Sequence, residues 1–253
     1  MGKKNNIAVK KEEEAGIEKA EKAEMLGLEV FDTGDLILPR LRIVQPTSKE
    51  GTVGWFKNNL TNEEKDKINA VVLAASKGRV CWGENLDEDP ICRSSDGIHP
   101  SENVESPVNE ICGTKENGKR FEPVCPNAMW GEKKDERPIC NEVINLLCIG
   151  KDDMVPFFIS LHGTQLKPVR AYLSAVGLRR RSLYEYQATL KLKETTNGKG
   201  KYFVIQFEEL KENSADEKDN FRALYFQFAG YPIDRTFDAE KAMKEADKDD
   251  IPI

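Results

Sequence analysis

The stretch EYQATLKLKETTNGKGKYFVIQFE, residues 185–208, decides the fold class. Apolar and polar residues alternate through its first half, which is typical of a strand with one buried face. The predicted buried face consists of Tyr186, Ala188, Leu190 and Leu192. Residues 195–198, TTNG, predict a tight hairpin turn, and residues 202–208, YFVIQFE, predict the returning strand.

Five further apolar runs are short and rich in β-branched or aromatic residues, as strands are. They are LILPRLRIV (36–44), INAVVLAA (68–75), EVINLLCI (142–149), VPFFISL (155–161) and FRALYFQF (221–228). Pro39 interrupts the first run, which favours a position at a sheet edge. The turn-like GKDDM link between the third and fourth runs indicates a second hairpin.

One short helix is indicated between the fourth of these runs and residue 185. Pro168 suits the first turn of a helix. The apolar stripe that follows consists of Val169, Tyr172, Leu173 and Val176. Many short strands with a single short helix predict a mainly β fold, either a barrel or a sandwich. An OB-like barrel, which commonly carries one helix between strands, is the form we expect.

The overall composition is that of a polar protein without a membrane segment. The chain has 253 residues, a net charge of −6, a pI near 5.3 and a mean hydropathy of −0.59. No apolar run approaches the roughly 20 residues that a membrane span requires. No apolar stretch follows the N-terminal lysines, so no secretory signal is visible. We therefore expect a cytoplasmic protein, in the host cell if it is phage-encoded, that makes no membrane contact.

The charge is distributed unevenly along the chain. Residues 162–202 carry nine lysines and arginines against two glutamates. Residues 232–253 carry seven acidic residues against four basic ones. An acidic total therefore does not exclude a nucleic-acid partner, because the basic segment is long enough to follow several phosphates. An ordinary solvated face remains the alternative interpretation of this basic segment.

The two ends of the chain are predicted to differ from its middle. Residues 1–27 are expected to form a flexible charged leader, because the first 25 residues contain six lysines, six glutamates and few large apolar side chains. Residues 28–232 are expected to form one domain, and residues 233–253 a disordered acidic tail. Within the domain, residues 82–140 are predicted to be an insert.

The insert has no apolar run of strand length, so something else must order it. Its cysteines are Cys92, Cys112, Cys125 and Cys140. Four thiolates on one Zn²⁺ would replace the missing hydrophobic core. His99 is an alternative fourth ligand, and reduced cysteines in a metal-free loop are the alternative to a site. Cys81 and Cys148 lie in apolar strands, where a free cysteine is expected to behave as a small apolar residue.

The insert and its surroundings resemble a group of phage-encoded, zinc-containing single-stranded-DNA-binding proteins. The matching text is PICRSSDGIHP (90–100), CPNAMWG (125–131), PIC (138–140) and LHGTQLKPVRAYL (161–173). The resemblance implies that Cys92, Cys125 and Cys140 are zinc ligands. The fourth ligand of that pattern lies two residues before the Cys-Pro pair, where this chain has Pro123. Cys112 then becomes the candidate for the fourth ligand.

The C-terminal sequence DKDDIPI, residues 247–253, resembles the acidic tip of bacterial single-stranded-DNA-binding proteins, which ends in aspartates followed by Ile-Pro-Phe. The resemblance implies that the tip recruits replication or recombination proteins. The residues that would contact such a partner are Asp249, Asp250, Ile251, Pro252 and Ile253. A terminal apolar side chain and a carboxylate fit a basic, apolar pocket on another protein. A purely solubilising tail is the alternative.

Binding a single strand without sequence preference requires cations for the phosphates and exposed rings on which bases stack. The candidates for phosphate contact are Lys167, Arg170, Arg179, Arg180, Arg181, Lys191 and Lys193. The candidates for stacking are Tyr184, Tyr186, Trp55 and Phe56, with Tyr184 favoured and a core position open for the other three. Trp82 and Trp130 are expected to pack the insert against the barrel.

No residue pattern indicates an enzyme. The chain has two histidines, and it contains no GxSxG, Walker or HExxH motif. We therefore predict a non-enzymatic protein that binds and protects single-stranded DNA in phage replication or recombination. The alternative is a zinc-containing protein-interaction module that binds host or phage replication or transcription machinery.

Overall fold

The computed structural model describes residues 35–236, apart from residues 83–89, 102–103, 105–107, 117–119, 132–136, 199, 229 and 235. The strands of the described part are β1 (Arg40–Ile43), β2 (Phe56–Asn58), β3 (Glu64–Lys65), β4 (Lys67–Cys81), β5 (Cys92–Ser94), β6 (Gly113–Glu116), β7 (Arg120–Pro123), β8 (Cys140–Gly150), β9 (Pro156–His162), β10 (Tyr186–Asn197) and β11 (Gly200–Glu212). Its helices are α1 (Leu166–Gly177) and α2 (Ala215–Phe228). The predicted leader and the five residues of the C-terminal tip lie outside the described residues.

Nine of these strands form one sheet, which is curled into the shape of a half-barrel. The strand order is β11-β10-β4-β8-β9-β1-β2-β3, with β5 paired to the end of β4. Adjacent strands are antiparallel, except that β1 and β9 are parallel. The long strand β4 carries a register shift between Val72 and Ala74, and such a bulge bends a strand. The prediction of a mainly β, barrel-like fold is therefore confirmed.

The predicted hairpin and helix are both present. Strands β10 and β11 pair up to Asn197 and Gly200, which flank the tight turn. The face of β10 predicted to be buried packs into the inner core, a cluster enclosed by the curled sheet that includes Phe56, Leu146 and Ile159. Helix α1 covers this core with the predicted stripe, of which Val169, Tyr172 and Val176 are fully buried.

Residues 221–228 form the second half of α2, so the prediction of a strand there is wrong. Phe221, Leu224 and Phe228 recur at helical spacing and pack on the outer side of the sheet. They join Leu147 and other residues of β4, β8 and β9 in a second cluster, which we call the outer core. Ser214 and Glu217 hydrogen-bond each other's backbone at the start of α2, as in a capping box. The described part therefore has two helices rather than one.

Strand β1 lies between β9 and β2, so the predicted edge position is also wrong. Pro39 comes directly before the strand and removes no ladder hydrogen bond from it. The Pro39 carbonyl instead accepts a hydrogen bond of 2.8 Å from the Phe158 N–H. A proline that lies outside a strand is compatible with a central position in the sheet.

Two glutamine side chains bridge the free edge of β11 to the rest of the barrel. Gln165 accepts a hydrogen bond from the Ile205 N–H at 2.7 Å and donates one to the Phe203 carbonyl at 2.8 Å. Gln45 donates to the same carbonyl at 2.9 Å and accepts from the Phe203 N–H, also at 2.9 Å. These amides take the place of a neighbouring strand, because they satisfy backbone groups on an otherwise unpaired edge.

Replacing Gln165 by methionine is expected to lower the free energy of unfolding by about 1–3 kcal/mol. Gln165 is only 8% exposed, so the Ile205 N–H would lose its acceptor in a place that water reaches poorly. Chemical denaturation measures the change. The matched control is Gln206→Met, because the Gln206 amide only donates to a carbonyl of its own strand. An equal loss of stability in both variants would argue against the bridging role of Gln165.

The segment after α2 continues the packed body beyond the predicted boundary at residue 232. Ile233 and Thr236 are buried, and the Thr236 hydroxyl donates a hydrogen bond to the Leu38 carbonyl at 3.1 Å. Tyr231 donates a hydrogen bond of 2.6 Å to the Leu36 carbonyl. The described residues contain no helix with the length and apolar character needed to cross a membrane.

Candidate metal centre and nucleic-acid interface

Three cysteines stand side by side where the insert leaves and re-enters the barrel. Cys81 is the last residue of β4, and it pairs directly with Cys140 at the start of β8. Cys81 also pairs directly with Cys92 of β5 on its other side. Directly paired residues of antiparallel strands point to the same side, with Cβ atoms about 5 Å apart. The three thiols therefore form a row across β5, β4 and β8.

Cys125 completes a buried cluster with this row. It precedes a short 3-10 helix at Pro126–Ala128, whose first residue is a proline, as helix starts favour. The thiol cluster, as we call it, consists of Cys81, Cys92, Cys125 and Cys140, packed with Ala128. The Asn127 amide hydrogen-bonds the Cys81 sulfur at 3.6 Å, which orients that thiol from outside the cluster.

Cys112 is buried next to the thiol cluster without being a member of it. Its backbone carbonyl accepts hydrogen bonds from the N–H groups of Val124 and Cys125, at 3.1 and 3.2 Å. Its thiol has a side-chain hydrogen bond with Ser94 and lies close enough to Cys92, Cys125 and Cys140 to interact with all three electrostatically. Five thiols, rather than the four predicted from the sequence, are thus gathered at one place.

Cys81 is buried, as predicted, but it lies in the thiol cluster rather than in the inner core. Cys148, by contrast, is fully buried in the inner core as predicted. The sequence did contain a sign that Cys81 lies beside the insert cysteines. An insert between two antiparallel strands begins and ends at neighbouring positions, so the last residue of one strand must lie beside the first residue of the other. His99 is mostly exposed and its ring contacts Asp96 at 3.2 Å.

Burial raises the pKa of three of these thiols, which favours their protonated form in the absence of a metal. Desolvation raises the pKa of Cys140 to about 11, although Arg79 opposes the shift. Desolvation also raises the pKa of Cys81 and of Cys112. Among the described residues, no three histidine, cysteine, aspartate or glutamate side chains are already arranged as metal ligands. The donor set nevertheless fits zinc, because buried thiols from separate segments are the donors of Cys₄ sites.

The insert is fastened to the barrel at two further points. Gly78 of β4 allows the β5 backbone to approach, since a Cβ there would lie 2.5 Å from the Ser94 carbonyl oxygen. Asp234, in the segment after α2, accepts hydrogen bonds of 3.0 Å from the Ser101 hydroxyl and pairs with Arg93 at 3.2 Å. The position of the thiol cluster is therefore determined by strand pairing and by the C-terminal segment together.

The outer surface of the insert is apolar. A β-branched residue precedes each of the four cysteines of the insert, and all of these residues are exposed: Ile91, Ile111, Val124 and Ile139. Successive side chains of an extended segment point to opposite sides. The residue before each cysteine therefore points outward when the thiol points inward. Trp130 is 66% exposed, so the prediction that it packs the insert against the barrel is wrong.

The arginines of the basic segment form a separate loop after α1. Leu178 is 85% exposed there and precedes Arg179, Arg180 and Arg181. The guanidinium of Arg179 lies over the Tyr186 ring, 5.3 Å from its centroid. Tyr186 begins β10, so this loop lies about 23 Å along that strand from Lys193. The structure therefore divides the predicted basic segment between two ends of the barrel.

Carboxylates neutralise several of the predicted phosphate contacts. Arg170 pairs with Glu142 at 2.7 Å and Arg181 pairs with Glu185 at 3.4 Å. Lys167, on α1, is exposed and makes no ion pair with a described residue. The described cations of the segment consequently do not form one continuous positive surface.

Three of the four predicted stacking residues are occupied in the fold. Phe56 is 1% exposed, and Tyr186 also belongs to the inner core, so neither ring offers a face to a base. The Tyr184 ring packs against Tyr225 of α2, with centroids 5.9 Å apart. Trp55 is 38% exposed and retains an open surface. Of the predicted set, Trp55 is the most exposed, and Tyr184 is half-buried with Tyr225 against its ring.

A surface on the outer side of β4, β10 and β11 combines cations with one aromatic ring. Lys67 pairs directly with Lys191 across β4 and β10, and Lys191 pairs with Gln206 across β10 and β11. Residues two apart along a strand share a side, which adds Lys193 and Tyr202. We call this surface the lysine face; it consists of Lys67, Lys191, Lys193, Gln206 and Tyr202.

The lysine face continues the side of the sheet that α2 covers farther along β4, where Val71 enters the outer core. Lys67 and Lys193 are exposed and form no ion pair with the described part of the chain. Lys191 pairs with Glu208 at 2.7 Å, which raises the pKa of Lys191 and keeps its ammonium charged. Neither Lys67 nor Tyr202 is among the residues predicted from the sequence. Counting the hairpin register from its turn would have identified Tyr202.

The fold and its insert define a class: a mainly β, barrel-like protein with a thiol-lined insert. The profile of the Pam3 phage gp34-like protein family matches residues 8–246, so the chain belongs to that family. No curated protein and no solved structure matches the chain significantly. The family description agrees with the predicted phage setting, and it names neither a nucleic acid nor a metal.

Proposed function

We propose that the protein binds single-stranded DNA without sequence preference and protects it during phage replication or recombination. The observation that carries this proposal is the lysine face. Three lysines and Tyr202 lie on the same open side of the sheet, which is the combination of cations and a stacking ring that a single strand requires. Phosphates would compete with Glu208 for Lys191, because this ion pair is solvent-exposed.

The arrangement of the five longest strands supports an OB-like barrel. Strand β4 pairs with both β8 and β10, and α1 lies between β9 and β10 in the chain. OB folds bind oligonucleotides with their second and third strands and with the loops after strands 1 and 4. If β4, β8, β9, β10 and β11 are the five OB strands in chain order, the second and third strands are β8 and β9. Helix α2 covers the outer side of these two strands. The loops after the first and fourth strands are the insert and the β10–β11 turn, and α2 does not cover their described residues. The β10–β11 hairpin carries most of the lysine face.

We propose that zinc orders the insert, as a structural ion without a catalytic role. The thiol cluster and Cys112 supply enough donors for a closed tetrahedral site. The role of the ion would be to hold the insert beside the sheet, where a bound strand can contact both. We further propose that residues 249–253 recruit replication or recombination proteins. The support for this step is the resemblance of the C-terminal sequence to bacterial tips.

The test of DNA binding is fluorescence anisotropy with a labelled poly-dT oligonucleotide over a salt series. Three lysine–phosphate contacts predict that the logarithm of affinity falls with the logarithm of salt with a slope of about −2. Tyr202→Ala should weaken binding by about 1–3 kcal/mol, because a stacked base loses its ring. Tyr202→Phe is the matched control and should bind as the unaltered protein does. Absence of binding at low salt would refute the proposal.

A zinc-containing protein-interaction module remains the second candidate. The observation that favours it is the apolar outer surface of the insert, because exposed apolar clusters commonly mark interaction sites. In that case Trp130→Ser would abolish binding to the partner, whereas substitutions in the lysine face would have no effect. If the unaltered protein does not bind poly-dT, that result would favour this second function.

A further inference from the structure

The insert provides five buried thiols for the four positions of a tetrahedral zinc site. Cys92, Cys125 and Cys140 belong to the thiol cluster, and the choice of the fourth donor lies between Cys81 and Cys112. The sequence analysis assigned Cys112, because Cys81 ends an apolar strand. Packing and strand register in the structure distinguish these two residues.

Cys81 occupies the central position of the thiol cluster. It pairs directly with Cys92 on one side and with Cys140 on the other, so its side chain points the same way as both. It also packs with Cys125, which comes from the 3-10 turn that faces the row. The four cysteines therefore come from four chain segments and pack in one buried cluster.

Cys112 is held differently. Its thiol has Ser94 as a hydrogen-bonding partner, and its carbonyl holds the backbone of the Cys125 segment. These contacts give Cys112 a role in placing Cys125 that does not require its sulfur to bind a metal. Asn127 supports Cys81 in the same way that an outer hydrogen-bonding partner supports a metal ligand.

We propose that Cys81 is the fourth zinc ligand, together with Cys92, Cys125 and Cys140, and that Cys112 is a buried thiol beside the site. This inference rests on the proposed zinc content of the insert. It adds a ligand from the barrel strand β4 itself. Zinc would then tie the insert directly to the sheet, rather than ordering the insert within itself.

The test replaces zinc by Co²⁺ in the full-length protein, because the intensity of the sulfur-to-cobalt charge-transfer band scales with the number of bound thiolates. Cys112→Ser should show the full intensity of the unaltered protein. Adding Cys81→Ser to that variant should remove about a quarter of the band, as one of four ligands is lost. The double variant prevents Cys112 from replacing Cys81. Cys148→Ala is the control, because that thiol lies in the inner core.

A second measurement uses the unaltered protein and so does not depend on the folding of variants. In the zinc-bound protein, Cys112 should be alkylated at least about tenfold faster than Cys81, because the metal shields a bound thiolate whereas Cys112 is held only by packing. Loss of a quarter of the cobalt band in Cys112→Ser alone, or protection of Cys112 instead of Cys81, would overturn the assignment. A full-length protein that binds neither zinc nor cobalt would refute both the assignment and the proposed zinc content. The proposal of DNA binding would be unaffected, because the poly-dT titration tests it separately.

Discussion

Removal of zinc is expected to make the insert sensitive to proteases while the barrel stays folded. The inner and outer cores contain many large apolar side chains, whereas the buried cluster of the insert consists of cysteines and Ala128. Binding of a structural zinc ion contributes on the order of 10 kcal/mol, which is far more than this small cluster supplies by apolar burial. Limited proteolysis with mass spectrometry, before and after treatment with a chelator, locates the cleavage sites.

The expected pattern is cleavage between residues 82 and 139 after chelation, with the midpoint of thermal unfolding of the barrel changed only slightly. Protection should return when zinc is added back. The control is a chelator already saturated with zinc. Cleavage distributed over the whole chain, or an insert that stays resistant without metal, would contradict the structural role of the ion.

Zinc affinity should also fall as the pH is lowered. Burial raises the pKa of Cys140 to about 11, so this thiol is protonated at neutral pH without the metal and must release its proton on binding. Each proton released makes binding tighter at higher pH. Competition with a chelator of known affinity at pH 6 and pH 8 measures this dependence. A pH-independent affinity would mean that the thiols are not the donors.

Reversing two charges on the lysine face is expected to have the largest effect on DNA binding. In Lys67→Glu/Lys193→Glu, two unpaired exposed cations become anions, so two phosphate contacts are lost and two repulsions appear. We expect poly-dT affinity to fall at least about 100-fold at low salt, and the salt slope to decrease by about 1.4 for the two lost contacts. Anisotropy over the same salt series measures both quantities.

The matched control is Lys167→Glu/Lys211→Glu, which changes the net charge equally. Both lysines are exposed and lie away from the lysine face, on α1 and near the end of β11. This control should reduce affinity only a few-fold, through long-range repulsion that salt screens. An equal loss in both double variants would show that binding does not depend on the lysine face in particular.

Local pattern was sufficient for the elements that are regular over many residues. The alternation in residues 185–193 predicts β10, and the TTNG sequence places its turn within one or two residues. The stripe behind Pro168 predicts α1 and the face that it buries. These features are readable because a strand or helix of this length repeats its burial period several times.

The run FRALYFQF was assigned to the wrong element because eight residues satisfy both periods. Phe221, Leu224, Tyr225 and Phe228 match a helix, and the aromatic content matches a strand. The sheet resolves the ambiguity, because only a helix places all four of these side chains in the outer core. The sequence SADE at residues 214–217 was the available sign of a helix start.

The sequence by itself predicted the longer strands of the barrel, the hairpin and helix α1, because these follow from short-range periodicity and turn residues. Only the tertiary structure decided that Cys81 joins the insert cysteines and that Lys67 and Tyr202 share a surface with Lys191 and Lys193. Those groupings depend on strand register, which brings together residues far apart in the chain, such as Cys81 with Cys140 and Lys67 with Lys191. Charge counted along the chain also could not show which cations are neutralised by carboxylates of neighbouring elements, as Arg170 is by Glu142.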